Sequence, residues 1–426
     1  MLSLYQARQL ILRSVGTLGA EPVELLEALG RVSAEDVLAP FPLPLFDNSS
    51  MDGYAVRMDD AQMLPALSVH DFVPAGDARR TSILPGSAVK VMTGAPVPEG
   101  CEAVVPIEEI ECREDGIHIT VPPRPGQHIR HAGEDFRKGE VALATGTTLR
   151  VPEISLLASL GRTSVSVYRR PRVAILATGD ELVEPGQPLA AGKLYNSNSL
   201  ALATAVLQTG AVPVLLGIAA DNRESLHEKL LQALRADVLI TAAGVSVGDR
   251  DLVRDMLAEM GVQQLFWGIA VKPGKSTAFG MKGRIPVFSL PGNPVSTIVS
   301  FEELVRPALC KMLGRSALYR PALRAVLMEP VRKVKDKTQL LRVSLCSQHG
   351  RLLARSAGNQ DTRFLRTLLN ADGLAELPAG RDEFAAGDEI QVRLLGEHLS
   401  QIPDAAYVDG SAEDAPRMLC ELEAAR

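Results

Sequence analysis

The chain is 426 residues long, with 46% hydrophobic and 4% aromatic residues and a formal net charge of −6. This length accommodates about three or four domains, and the hydrophobic content is enough for buried cores. The negative charge and the scarcity of aromatic side chains argue against a nucleic-acid partner, because such partners need basic surfaces and stacking platforms.

The N-terminal segment predicts helices and a cytoplasmic location. Residues 3–15 have the apolar spacing of an amphipathic helix with Ser3 and Gln6 as a capping box, and residues 24–29 predict a second short helix. The segment lacks the charged start and cleavage site of a signal peptide, and no apolar run approaches the roughly 18 residues of a membrane span. The five cysteines are scattered without a CxxC pair, which favours a reducing compartment over a zinc site or a disulfide framework.

Residues 46–137 predict a small β-rich domain, because short apolar runs alternate there with proline and glycine. Two of its loops, in FDNSSMDGYAVR and VMTGAPVPEG, hold Asp52 and Thr93. Taken alone, each loop is better explained as an ordinary Asx or proline turn. The predicted strands are residues 88–92, 103–107 and 116–121.

Residues 138–171 predict a return to the first part of the chain. They contain a helical pattern that begins near Pro152, a residue well suited to a first helical turn. We expect this segment to pack with residues 1–45. The β-rich domain would then be an insertion between two halves of one elongated linking domain.

Residues 172–314 alternate between apolar runs and helical patterns. Strands buried on both faces are short and fully apolar, whereas helices repeat apolar residues every three or four positions. The predicted strands are residues 173–177, 212–217, 238–241 and 285–290, and the predicted helices are residues 199–207, 224–234, 250–260 and 294–313. This alternation predicts right-handed crossovers and a doubly wound, mostly parallel α/β sheet.

The loop in TAAGVSVGDRD follows the third of these strands and precedes a helix. Gly244 and Gly248 permit positive φ and close approach of a ligand, Ser246 lies between them, and the following helix N-terminus favours phosphate. Asp251 is either an N-cap or a ligand. Asp221 follows the neighbouring strand, and two carboxylates that meet beside a phosphate loop suit a hard cation such as Mg²⁺.

Three further groups lie in other loops of residues 172–314. Glu181, in ATGDEL, either joins the cation or acts on a proton, the alternative being a solvated loop carboxylate. Lys272 and Lys275 form a compact cationic turn in VKPGKS that suits oxyanions, although lysines alone are a weak signal. The loop LPGNPVS leads into a helix and predicts a second anion site. Its candidate residues are Pro291, Gly292, Asn293 and Pro294.

Neither GxxxxGK[ST] nor GxGxxG is present, so the residues alone predict a phosphate-bearing ligand and a divalent cation without a standard nucleotide motif. Residues 315–396 again contain short strand-like runs and predict a second small β domain. Those runs are residues 322–329, 339–345, 351–356 and 389–395. Residues 397–426 form a polar, acidic tail that we expect to be partly disordered, with a helical pattern only near residues 418–425.

Eight phrases stand in unbroken order between residues 48 and 296, and the resemblance they carry covers about residues 1–396: NSSMDGYAVR, VMTGAPVPEG, GEDFRKGE, ATGDELVEPG, YNSNS, AAGVSVGDRD, VKPGKSTAFG and LPGNPVS. Together they resemble the MoeA family of molybdopterin molybdenumtransferases, which is related to the gephyrin E domain. The resemblance implies four domains. These are an elongated linking domain (1–45 with 138–171), an inserted β domain (46–137), a molybdopterin-binding α/β domain (172–314) and a C-terminal β barrel (315–396).

The resemblance also implies a reaction and its partners. The family inserts molybdate into molybdopterin-adenylate with Mg²⁺-dependent release of AMP. It forms elongated homodimers whose cleft lies between the α/β domain of one subunit and the inserted β domain of the other. Exchange with a molybdopterin adenylyltransferase and with molybdoenzyme apoproteins is expected, and no nucleic acid or membrane is expected.

Site residues follow from the same resemblance. Asp221 and Asp251 would hold Mg²⁺, and Asn196 and Asn198 of YNSNS would bind pterin or phosphate. The implied catalytic residues are Asp52, Thr93, Glu181, Asp251, Lys272 and Lys275. The implied substrate-binding residues are Asn196, Asn198, Gly244, Ser246, Gly248, Pro291, Gly292, Asn293 and Pro294.

The chain departs from the family in two places. Ala243 stands where the family often has glycine, and the barrel phrases KTQLLR and SAGNQDTR differ from the usual ones, which leaves a barrel contribution to the cleft open. Two alternatives are a molybdopterin adenylyltransferase, which resembles residues 172–314 alone, and a non-catalytic scaffold like the gephyrin E domain. The flanking domains disfavour the first. The second is disfavoured by an intact set of charged residues, Asp52, Asp221, Asp251 and Lys275.

Overall fold

The structure, a computed structural model, describes residues 1–77, 79–243, 252–348 and 350–396. The chain forms two compact units. Unit 1 comprises Met1–Pro22, Gly30–Ala34 and Ser166–Arg426, and unit 2 comprises Val23–Leu29 and Glu35–Val165. The four finer domain boundaries given above stay a prediction.

Unit 2 is built around a four-stranded sheet with the order Ser68–Val73, Ser87–Val91, Gly53–Val56 and Ala103–Pro106. The first two strands are parallel and the others are antiparallel. Its central strands are buried because Val and Ala face apolar clusters on both sides. Gly53 is required where these strands meet, because a Cβ there would overlap the carbonyl oxygen of Val105.

Shorter elements complete unit 2. The hairpin Ile110–Arg113 with Gly116–Ile119 is antiparallel, as are the pairs Asn48–Ser49 with Ile129–Arg130 and Val37–Leu38 with Val141–Leu143. The helices are Met58–Met63 and Val151–Ser159, and the second has proline in its first turn as predicted. The β-rich prediction for this part of the chain is confirmed.

The helix predicted at residues 24–29 is wrong. A strand, Ala20–Glu24, ends where that helix was expected to begin, and the residues after it form a turn that closes at Gly30 with φ of 74°. Leu26 is 89% exposed, so the apolar residues of this turn bury no helical face. An isolated helix of this length is unstable without packing, which explains why none forms.

A six-stranded sheet forms the centre of unit 1, with the order Val212–Ala219, Arg172–Thr178, Val238–Ala242, Ile285–Leu290, Ala278–Lys282 and Gln263–Trp267. The first four strands are parallel, which confirms the doubly wound, mostly parallel prediction. The last two are antiparallel and were not predicted, because their glutamine, glycine and lysine residues break the apolar run. Antiparallel edge strands are common on such sheets.

Helices cover both faces of this sheet and bury two apolar clusters. One face is packed by Leu4–Ser14, whose Ser3–Gln6 capping box is confirmed, together with Ser197–Thr209 and the helices after residue 293. The other face is packed by Arg223–Ala233 and Leu252–Glu259.

The helix predicted at residues 294–313 is divided by a π-helical turn. Its parts are Pro294–Ser300, the π turn Phe301–Val305 and Arg306–Met312. The turn carries Glu302 and Glu303 into the interior, where Glu302 pairs with Arg306 and Glu303 pairs with Arg8. Buried carboxylates need such partners, because an unpaired buried charge is strongly destabilising.

Five strands close into a barrel after the α/β part: Thr338–Gln348, Arg351–Ser356, Ala322–Leu327, Glu389–Leu394 and Gly373–Leu377, which returns to the first. Their inward residues form one apolar core. A two-residue strand, Val271–Lys272, extends this sheet in parallel to Thr338 and Gln339. The predicted C-terminal barrel is thus confirmed, and the predicted tail at residues 397–426 lies outside the described residues.

Among the residues that the structure describes, no helix combines the length and apolar character of a membrane span.

Candidate active site

The order of the parallel strands creates a crevice at their carboxyl ends. Arg172–Thr178 lies between Val212–Ala219 and Val238–Ala242, so the chain leaves it first toward one neighbour and later toward the other. Ligands in open α/β sheets bind outside the carboxyl ends of the strands at such a reversal. The loops after the first two of these strands carry the predicted residues Glu181 and Asp221.

Two aspartates meet at this edge. The backbone N–H of Asp180 donates to Oδ2 of Asp221 at 3.3 Å, and the backbone N–H of Asp221 donates to Oδ1 of Asp180 at 3.1 Å. Both side chains are exposed. Asp221 was predicted from the sequence, whereas Asp180 was missed although it directly precedes the predicted Glu181. The pair presents carboxylate oxygens, which are the donors that Mg²⁺ prefers.

Glu181 lies beside the pair. Its carboxylate occupies the space that a side chain at Gly179 would need, and Gly179 has φ of 139°. The ammonium group of Lys193 donates to the carbonyl oxygen of Asp180, so a positively charged side chain also lies at this edge. Among the described residues, no group of three or more histidine, cysteine or acidic side chains stands ready to hold a metal ion.

The two predicted asparagines, Asn196 and Asn198, form hydrogen bonds to backbone groups around the site. Asn196 is 2% exposed and caps the helix Ser197–Thr209 by accepting from the backbone N–H of Ser199 at 3.2 Å. Asn198 donates from Nδ2 to the carbonyl oxygen of Gly292 at 2.7 Å. The Oδ1 atom of Asn198 is buried without a hydrogen-bond partner among the described residues, so it is an acceptor that a ligand N–H could satisfy.

The loop at residues 291–294 is held from both sides. Asn293 accepts from the backbone N–H of Ser296 at 3.2 Å as the N-cap of Pro294–Ser300, and its Nδ2 donates to the carbonyl oxygen of Thr362 at 3.0 Å. Thr297 donates to the carbonyl oxygen of Pro291. The last loop of the sheet is therefore fixed to a loop of the barrel.

Ala243 begins the predicted phosphate loop in a left-handed conformation, with φ of 78°. This region is unfavourable for a residue with a Cβ. Its methyl faces Gly292, where an added Cβ would come within 3.2 Å of the Ala243 Cβ. The predicted residues Gly244, Ser246, Gly248 and Asp251 lie outside the described residues.

A cavity of about 840 Å³ opens beside Lys272 and is lined by barrel residues. Its charged lining residues are Lys272, Glu329, Arg332, Lys333 and Asp361. The pKa of Asp361 lies below its ordinary value, mainly because Arg363 donates hydrogen bonds to it and also because Lys272 is near. Lys275 is exposed and is not among the lining residues of this cavity.

The barrel thus contributes lining residues to the Lys272 cavity, a contribution that the sequence had left open. Gln360, Asp361 and Thr362, within SAGNQDTR, form one wall of the Lys272 cavity. The strand at Lys272 pairs with the barrel through the backbone, and this pairing brings the wall to the lysine. The polar phrase SAGNQDTR was visible in the sequence, but nothing in it predicted that these residues would lie beside Lys272, which is distant in the chain.

In unit 2 the structure joins Asp52 and Thr93. Oδ1 of Asp52 accepts from both the backbone N–H and the hydroxyl of Thr93, each at 2.7 Å. These bonds, the backbone bond first, lower the pKa of Asp52 below its ordinary value, with a smaller contribution from Lys90. The two loops are therefore coupled to each other rather than closed by separate local turns.

Three family models together match most of the chain. They are described as the MoeA N-terminal region, domains I and II, at residues 2–161, a probable molybdopterin binding domain at residues 174–311, and the MoeA C-terminal region, domain IV, at residues 324–395. A molybdopterin molybdenumtransferase of Haemophilus influenzae is 36% identical over 92% of this chain and 98% of its own length. The chain belongs to the MoeA family.

Further members of the MoeA family agree. Molybdopterin molybdenumtransferase 2 of Mycobacterium tuberculosis is 39% identical over 87% of this chain and 94% of its own length. The crystal structure of a molybdopterin biosynthesis MoeA protein from Pyrococcus horikoshii superposes with a TM-score of 0.80 at 32% identity, covering 92% of this chain and 99% of that one. The chain is accordingly a transferase of molybdenum cofactor biosynthesis.

Proposed function

We propose that this chain inserts molybdate into molybdopterin-adenylate with release of AMP. The proposal is supported by the Asp180–Asp221 carboxylates and the loop at residues 291–294, which both follow parallel strands of one sheet. It is also supported by the Lys272 cavity, whose lining residue Thr362 accepts a hydrogen bond from Asn293. In the proposed step, water adds at one phosphorus of the phosphoanhydride, the bridging P–O bond breaks and AMP leaves. Molybdate is a substrate that exchanges oxygen for the dithiolene sulfurs.

The residues at the edge fit a divalent cation. Asp180 and Asp221 offer exposed carboxylate oxygens, and Asp251 is the proposed third ligand. When bound, Mg²⁺ would polarise the phosphorus–oxygen bonds and neutralise the negative charge that develops there. Glu181, directly next to the pair, is placed to hold or move a proton of the attacking water.

The Lys272 cavity is the proposed entry site for molybdate. Lys272, Arg332 and Lys333 supply positive charge, and the nearby amide and hydroxyl groups of Gln360 and Thr362 supply hydrogen bonds. The buried Oδ1 of Asn198 is the proposed acceptor for a pterin N–H, and its Nδ2 keeps the Gly292 carbonyl in place. Lys275, exposed at the same turn, is proposed to attract the phosphate.

We further propose a cytoplasmic homodimer whose cleft is shared between subunits. Support comes from the Asp52–Thr93 pair of unit 2, in which two hydrogen bonds from Thr93 favour the ionised carboxylate of Asp52. A mixture of Asp52→Ala and Asp251→Ala chains should regain one working cleft per heterodimer. Complete inactivity of the mixture would count against the shared cleft. A molybdopterin adenylyltransferase as supplier and molybdoenzyme apoproteins as acceptors are the proposed partners.

The function is tested with purified protein, molybdopterin-adenylate, Mg²⁺ and micromolar molybdate, by measuring AMP release and active cofactor. Molybdate-dependent release supports the proposal, whereas ligand binding without release would support a scaffold. Formation of molybdopterin-adenylate from ATP would instead support the adenylyltransferase alternative.

A matched pair of variants locates the molybdate site. Lys272→Gln should raise the molybdate concentration needed for half-maximal rate. Lys282→Gln should not, because Lys282 pairs with Ile285 at the amino end of the parallel strands, the opposite edge of the sheet. Equal kinetics of the two variants would contradict the proposed Lys272 site.

A further inference from the structure

Lys90 lies on the four-stranded sheet of unit 2, close to the Asp52–Thr93 pair. It is exposed near the carboxyl end of its strand, and it pairs with Tyr54 on one neighbouring strand and with Phe72 on the other. Thr93 follows Lys90 by three residues, and Asp52 precedes Tyr54 by two. The lysine therefore belongs to the part of the sheet that carries the two predicted site residues of this unit.

Strand geometry places Lys90 and Asp52 on the same face of the sheet. Residues paired across two strands share a face, and so do residues two positions apart along one strand. Asp52 stands two positions before Tyr54, the partner of Lys90, so Asp52 and Lys90 are diagonal neighbours. Such neighbours are about 7–8 Å apart. The electrostatics agree, because the bonds from Thr93 lower the pKa of Asp52 most and the charge of Lys90 lowers it further.

The ammonium group of Lys90 is oriented by an aromatic ring. Its Nζ atom lies 6.0 Å from the centroid of the Phe72 ring, and Phe72 is itself 44% exposed. A ring face at this range attracts a cation weakly and holds it in place. Within the residues that the structure describes, the ammonium group forms no hydrogen bond or ion pair. Its charge is therefore available to a ligand at this surface.

The charge of Lys90 matters because the proposed substrate is anionic. Molybdopterin-adenylate carries a phosphoanhydride, and the ionised carboxylate of Asp52 repels such a group at short range. A lysine one diagonal step away offsets this repulsion and is a point-charge partner for phosphate oxygens. Lys90 would thus allow Asp52 to lie beside the phosphates without excluding them.

We propose that Lys90 is a substrate-recognition residue of the inserted β domain, whose ammonium group offsets the charge of Asp52 and receives a phosphate group of molybdopterin-adenylate bound by the partner subunit. This inference rests on the proposed function and on the proposed shared cleft. It assigns unit 2 a part in the affinity for the organic substrate, separate from the proposed molybdate site at Lys272.

The first test uses the full chain with molybdopterin-adenylate, Mg²⁺ and molybdate, and measures the KM of each substrate. Lys90→Gln should raise KM for molybdopterin-adenylate about tenfold, which corresponds to ~1.4 kcal/mol, and should change KM for molybdate less than about twofold. Lys90→Arg keeps the charge and should stay close to the parent chain. Arg124 is the matched control, an exposed cation whose loop is bonded to Glu102 at the opposite end of the sheet, and Arg124→Gln should leave both KM values unchanged.

Offset charges also predict that the effects of Lys90 and Asp52 are coupled. Calorimetric binding of AMP with Mg²⁺ is the readout, because it does not depend on turnover by the Asp52 variants. Lys90→Gln should weaken AMP binding about fivefold in the parent chain but less than about twofold in Asp52→Asn chains. The loss should shrink at high salt, because exposed charges are screened. An equal loss in both backgrounds, or no loss in either, would overturn the proposal.

The outcomes separate this inference from the proposed function. A parent chain without molybdate-dependent AMP release rejects the proposed function and the role of Lys90 with it. A working parent chain with an unchanged KM for molybdopterin-adenylate in Lys90→Gln rejects the role of Lys90 alone. If Lys90→Gln does not fold, Lys90→Met keeps an apolar stem between Phe72 and Tyr54 and should raise KM in the same way; an unchanged KM there also refutes the inference.

Discussion

The contact between Ala243 and Gly292 predicts that substitutions at these two positions are strongly coupled. Gly292 has a backbone conformation open to any residue, so the obstacle to a side chain there is steric. A Cβ at residue 292 would lie 3.2 Å from the Ala243 Cβ but 3.7 Å from the Ala243 Cα. Carbon atoms prefer about 3.5–4.0 Å. Removing the Ala243 methyl should therefore remove the clash.

The expected energies follow from two opposing terms. Overpacking of this kind destabilises by about 1–3 kcal/mol, and a glycine-to-alanine change regains about 0.5 kcal/mol through the unfolded state. Gly292→Ala should thus destabilise the native chain by ~1 kcal/mol. In the Ala243→Gly background the same change should be neutral or stabilise by ~0.5 kcal/mol, giving a coupling energy of ~1.5 kcal/mol.

Urea unfolding followed by tryptophan fluorescence measures this coupling. Trp267 is the only tryptophan of the chain and lies in the edge strand Gln263–Trp267 of the same sheet, so its signal reports on the α/β part. Ala243→Gly alone should change stability by less than ~1 kcal/mol, because relief of the left-handed conformation offsets the entropy of glycine. An equal effect of Gly292→Ala in both backgrounds would refute the steric reasoning.

Three further predictions concern charged residues. The pKa of Asp52 is lowered in the folded chain, so its carboxylate stabilises the fold above about pH 4, and this stabilisation is lost as pH falls through the folded-state pKa. The difference in unfolding free energy between the parent and Asp52→Asn should therefore shrink in acid. A difference that stays constant with pH would contradict the bonds to Thr93. Asp221→Ala should abolish Mg²⁺-dependent AMP release and leave the circular dichroism spectrum unchanged, and normal turnover would exclude Asp221 as a ligand. Arg8→Ala should destabilise unit 1 by about 3–5 kcal/mol in urea, because it leaves the Glu303 carboxylate buried with a weakened set of partners, and a loss below ~1 kcal/mol would show that the remaining contacts suffice.

Local sequence patterns determined the secondary structure of the sheet centre. The run at residues 285–290 is fully apolar apart from Pro286 and Ser289, and its strand has the predicted bounds. Strands of this kind are buried on both faces, so each residue carries the same signal and neighbours reinforce it. The capping box at Ser3 was likewise readable, because both partners lie three residues apart.

Candidate site residues were predicted from two kinds of signal, a loop that directly follows a predicted strand and a phrase that resembles the family. Asp221 could be placed at the carboxyl edge because its strand was predicted, and Asp52 and Thr93 because their phrases are long and unusual. Asp180 was missed, since its importance arises from backbone bonds to a residue 41 positions away. No periodicity in the chain encodes such a pair.

The sequence by itself determined the four parallel strands of the central sheet and the helices between them, and therefore which residues lie in the loops after those strands. Tertiary structure alone decided three features: the antiparallel edge of the sheet, the π turn that carries Glu303 to Arg8, and the barrel wall beside Lys272. The physical reason is the range of the interactions. Apolar periodicity and capping act within a few residues, whereas the pairing of Lys272 with Gln339 and of Gln360 with the Arg342 peptide exists only after distant segments have packed.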